Sequence, residues 1–167
     1  MLERIKKHWD ISLITCLGIF IHIIPFFLFS EPLGYDTGFY RRFLLENSGP
    51  LTLVPGLGND AIVPKIILYL CSLTGIQESY VLYASYIFLY SLIVVALFFL
   101  IKKYTNHKTA IIVSLIFVIS PISYIGYWFM LYKNAIGTLI LLLLCINTEK
   151  ISKTTYILMF MLMFSHQ

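Results

Sequence analysis

The stretch Gly34-Tyr35-Asp36-Thr37-Gly38-Phe39-Tyr40-Arg41-Arg42-Phe43-Leu44 sets a carboxylate and two guanidinium groups close together. Asp36 stands between Gly34 and Gly38, and its neighbours predict a short helix over Thr37–Leu45. On that helix Tyr40 is four residues past Asp36 and Arg41 five, so Arg41 is displaced around the axis. Asp36 precedes the first turn and can fold back toward it. Such a carboxylate can take a proton from an acceptor hydroxyl, or orient it, while the cations stabilise a departing phosphate. Arginine suits bidentate phosphate contact. The competing role is structural: Asp36 caps the helix, and Arg41 and Arg42 lie among lipid headgroups.

The elements that must hold these groups are apolar. Of 167 residues, 59% are hydrophobic and 12% charged, with mean hydropathy +0.87. A soluble domain of this size carries about 25% charged residues. Lipid is therefore the expected solvent for much of the surface. The expected fold is an all-α membrane protein, one membrane domain over 1–167, with about five transmembrane helices and a helical outer first loop. The apolar runs predict spans at 11–30, 80–101, 110–130 (kinked at Pro121), 132–147 and 155–167. The last is too short to cross, which favours a truncated product. The first run follows a basic segment as a signal peptide would, but its length and the following Glu31-Pro32-Leu33-Gly34 favour a retained anchor.

Charge sets the expected orientation. Lysines and arginines cluster in short turns: Arg4, Lys6 and Lys7; Lys102, Lys103 and Lys108; Lys150 and Lys153. No basic stripe of the nucleic-acid type exists, so the net charge of +4 does not imply a nucleic-acid partner. If the short apolar run 62–76 does not cross, all these clusters fall on one side, as the positive-inside rule requires. That predicts a cytoplasmic N-terminus, an outer segment 31–79, and a re-entrant or juxtamembrane helix over 62–76. Cys16, Cys71 and Cys145 lack metal or disulfide spacing. His8 and His107 are expected in solvated inner turns, and His22 inside the first span is expected to bond across a helix interface.

The layout resembles the N-terminal part of the polytopic glycosyltransferases of the GT-C fold, the superfamily of protein O-mannosyltransferases and aminoarabinose transferases. Three stretches carry the resemblance: the Asp36 segment; Val63-Pro64-Lys65-Ile66 through Leu73-Thr74-Gly75; and Tyr127-Trp128-Phe129-Met130-Leu131-Tyr132-Lys133-Asn134. Only the first is motif-like. Several families have an acidic pair where this chain has Asp36-Thr37, and a double proline where it has Pro64.

The resemblance implies a glycosyltransferase fragment that moves a sugar from a polyprenyl-phosphate-linked donor to an outer-face acceptor. Asp36 would be its catalytic carboxylate. Arg41, Arg42 and Lys65 would meet the donor phosphate, and Lys133 and Asn134 a sugar phosphate. Its one cofactor candidate is a divalent metal ion, with Asp60 as the second acidic group that would hold it. Competing roles are a snorkelling lysine for Lys65, a turn or helix cap for Asp60 in Gly58-Asn59-Asp60, and a turn and helix start for Lys133 and Asn134. The expected partners are membrane lipids and the lipid-linked donor. The rival readings are a non-catalytic polytopic membrane subunit and a transporter fragment.

Overall fold

The computed structural model describes residues 9–29, 37–46, 62–121, 132–147 and 152–164, and every regular element among them is a helix. In chain order these are α1 (Trp9–Leu28), α2 (Thr37–Leu45), α3 (Ile62–Ser72), α4 (Glu78–Tyr104), α5 (His107–Ile119), α6 (Tyr132–Ile146) and α7 (Lys153–Met163). Two of them, α1 and α4, are long and apolar enough to cross a membrane. At 1.5 Å per residue, the 27 residues of α4 reach about 40 Å and the 11 of α3 only about 16 Å.

Local chemistry accounts for the helix ends. Asn106 opens α5 by accepting the Thr109 N–H at 2.9 Å, and Ser152 with Thr155 forms a reciprocal capping box on α7. Glu78 in the first turn of α4 and Lys102 and Lys103 in its last turn complement the helix dipole. The helix expected over 110–130 is a correction: α5 ends at Ile119, because Ser120 is extended (φ −66°, ψ 131°). A residue before proline is pushed out of the helical region, so Pro121 brings a break where a kink was expected. The helix expected over 62–76 ends at Ser72. Gly75 then takes φ +70°, a conformation glycine adopts freely, and turns the chain back into α4.

The helix α4 is the hub, packed against α1, α2, α3, α5 and α6, while α7 packs on α6. Specific contacts define two ends of the bundle. At one, His107 Nε2 meets Asp10 Oδ2 at 2.9 Å, and Lys103 Nζ donates to the Ile146 carbonyl at 2.6 Å. His107 is thus tied to the start of α1, a contact that its place in a basic turn did not suggest. At the other end, the Val63 N–H donates to the Phe164 carbonyl at 3.4 Å, and the Tyr40 and Tyr132 rings meet. Hence α1, α5 and α7 run one way, α4 and α6 the other. Both α2 and α3 sit at the end where α4 begins.

The bundle is apolar outside as well as inside. Along α1 the exposed residues Leu13, Leu17, Phe20, Ile24 and Phe27 recur every three or four positions, one continuous stripe. The opposite face buries Ile11, Ile14, Gly18 and His22. The His22 Nδ1–H donates to the Gly18 carbonyl at 2.8 Å within the same helix, and its ring lies 3.8 Å from that of Tyr90. That ring packing joins α1 to α4 across the helix interface.

A Cβ on Gly18 would meet Val118 and Tyr90 atoms at 3.5 and 3.6 Å, ordinary contact distances. Gly18→Ala should thus stay within about 1 kcal/mol of the parent. Gly18→Leu should destabilise by about 1–3 kcal/mol through overpacking, read from thermal unfolding in detergent.

Candidate functional site

The described sequence candidates, Arg41, Arg42, Lys65, Lys133 and Asn134, fall at the end where α2, α3, α4 and α6 meet. Asp36 and Asp60 lie outside the described residues, but Thr37, which follows Asp36, opens α2 and is buried. The short helix α2 has the bounds its sequence predicts, Thr37–Leu45. It buries Tyr40, Phe43 and Leu44 and leaves both arginines on its more open side.

Aromatic packing fixes where α2 sits. Tyr40 and Tyr132 are each 1% exposed, with ring centroids 5.5 Å apart. Tyr86 of α4 lies 6.0 Å from Tyr132 on another side. Both separations fall in the favourable range for tilted aromatic pairs. Tyr132 also shares a side-chain hydrogen bond with Ser85. Because Tyr40 precedes Arg41 and Tyr132 precedes Lys133, this packing brings the starts of α2 and α6 side by side.

The cations there are not equivalent. Arg41 directs Nη2 and Nε to Glu78 Oε1, at 3.1 and 3.3 Å, clamping α2 to the start of α4. Arg42 pairs with Glu46 one turn on at 2.6 Å, an exposed contact. Pairs of this kind stabilise by about 1 kcal/mol or less. Lys65 neither snorkels nor lies open to a ligand: it is 1% exposed, on the inner face of α3 with Pro64 and Leu68, and other groups engage it.

Removing an amine from water costs several kcal/mol unless its partners compensate, so Lys65 belongs first to the structure. Lys133, half-buried in the first turn of α6, has no ion pair among the described residues, and Asn134 beside it is exposed. Of the expected phosphate ligands, Lys133 is thus the cation whose charge is least committed.

Two hydroxyls at this end, Thr37 Oγ1 and Ser79 Oγ, are buried without a hydrogen-bond partner among the described residues. Such groups are rare enough in folded proteins to mark sites of function or strain. Among the described residues no three His, Cys, Asp or Glu side chains gather as a metal would need.

The roles of Glu78 and Tyr86 escaped the sequence reading, as did the packing of Tyr40 on Tyr132. The acidic residue opening a long apolar helix was the available signal for Glu78. The tyrosines carried none beyond their number. No family model, curated protein or solved structure matches the chain.

Proposed function

We propose that the chain belongs to a membrane glycosyltransferase that takes a sugar from a polyprenyl-phosphate-linked donor at the outer face. In this reading α1, α4, α5 and α6 cross the bilayer, α7 enters it as an incomplete span, the lysine-rich end faces the cytoplasm, and α2 and α3 lie on the outer side. The apolar outward stripe of α1 supports lipid contact. The alternating directions of α1, α4, α5 and α6 support the crossings. The observation that carries the reading is the meeting of the α2 start, just after Asp36, with the α6 start at Lys133. Asp36 would assist the acceptor hydroxyl while Lys133 stabilises the phosphate that leaves.

The test is transfer from a polyprenyl-phosphate sugar by the purified protein in liposomes. Lys133→Ala should raise the donor KM about tenfold, the scale of one lost charged hydrogen bond. Arg42→Ala, which breaks only an exposed pair, should change it less than twofold. Equal effects from both substitutions would contradict the assignment.

A second reading, a non-catalytic membrane subunit, draws on the pairing of Arg41 with Glu78 and Arg42 with Glu46, which spends those charges on packing α2. It predicts no transfer by any variant.

A further inference from the structure

A polar hollow and an apolar groove meet at the start of α4. The hollow, about 280 Å³, is bounded by Ser72, Gln77 and Glu78 together with Ile76 and Val81. Ile76 and Val81 also line a groove of about 470 Å³ that passes Cys71, Ala84, Phe88 and Leu92. On α4, Val81, Ala84, Phe88 and Leu92 recur every three or four residues, one stripe leading away from Glu78. From Val81 to Leu92 that stripe extends about 16 Å, close to half of a hydrocarbon core about 30 Å thick. Polar at one end and apolar for the depth of one leaflet, the combined site has the profile of an amphiphile.

We infer that it binds one bilayer glycerophospholipid, with an acyl chain in the groove and a hydrogen-bond-donating headgroup at Glu78. Arg41 donates from Nε and Nη2 to Glu78 Oε1, and Oε2 accepts no hydrogen bond among the described residues. An amine or hydroxyl of the headgroup can donate to Oε2 while its phosphate lies in the field of the half-exposed Arg41. The groove volume is within the range that small-ligand sites occupy. This inference rests on α4 crossing a bilayer and not on sugar transfer.

Two measurements test it. First, the full chain is reconstituted in nanodiscs of phosphatidylethanolamine, phosphatidylglycerol and phosphatidylcholine, then released for native mass spectrometry. One lipid should be retained, with the first two at least fivefold over phosphatidylcholine, whose head has no hydrogen-bond donor. Ala84 is exposed on the groove wall, so Ala84→Trp fills the groove without entering the core and should cut retention at least fivefold.

Second, in a Cys16→Ala, Cys145→Ala background, added phosphatidylethanolamine should slow modification of Cys71 by a lipid-soluble maleimide at least fivefold. Equal retention of all three lipids, retention unchanged by Ala84→Trp, or an unprotected Cys71 overturns the inference. A polyprenyl phosphate retained in place of the phospholipid also overturns it, while leaving the sugar-transfer reading standing. Since no sugar donor enters either measurement, failure of transfer activity would not alter the result.

Discussion

Replacing Tyr132 with alanine should destabilise the bundle by about 3–5 kcal/mol, the range for truncating a buried aromatic side chain. The ring is 1% exposed and packs on both Tyr40 and Tyr86, so one deletion removes contacts from α2 and α4 together. Its loss should also uncouple the start of α2 from that of α6 and thereby, on the sugar-transfer reading, impair transfer. Tyr132→Phe keeps the ring and forfeits only the hydrogen bond with Ser85, a loss of about 1 kcal/mol. Thermal unfolding in detergent of the two variants, followed by the sugar-transfer assay, checks both halves. Alanine should fail in each, whereas phenylalanine should retain most of the stability and activity. Comparable losses from both substitutions would show that the hydroxyl, and not the ring, holds this end together.

Asp36→Asn should lower kcat for sugar transfer by about 10²–10⁴-fold, the range for removing a positioned general base. The substitution separates the two roles that the sequence leaves open. Asparagine caps a helix about as well as aspartate, so a capping residue would tolerate the change with little effect. A catalytic carboxylate would not, since the amide cannot accept the proton. Membrane insertion and thermal stability should match the parent protein, while single-turnover transfer falls. Turnover unchanged from the parent would reduce Asp36 to a cap.

Much of the helical layout was legible because it depends on local properties. The Asp36 stretch between Gly34 and Gly38 marks the start of α2, and its bounds came out as read. The basic turns around Lys103 and Lys153 gather at one end of the bundle, as their spacing between apolar runs suggested. The short run after Pro64 forms a helix at the opposite end.

What escaped the sequence is non-local or depends on a competing local rule. Arg41 and Glu78 are 37 residues apart, and no periodicity couples them. Lys65 is next to Pro64 in the first turn of α3, where spacing alone suggests a snorkelling side chain; only the packed bundle shows that face turned inward. The early end of α5 follows from the restriction proline places on Ser120, which outweighed an apolar run continuing past it. Conversely, α4 extends beyond its apolar run at both ends, since Glu78, Lys102 and Lys103 suit the ends of a helix dipole even though they interrupt hydrophobicity.

Sugar transfer at the outer face requires the Asp36 segment to open into water across the bilayer from the lysine-rich end. The most direct test uses Ser48→Cys in a chain whose Cys16, Cys71 and Cys145 are replaced by alanine, exposed in intact cells to a membrane-impermeant maleimide. The account predicts labelling without permeabilisation. Labelling that appears only after the membrane is opened would put this segment in the cytoplasm and contradict it.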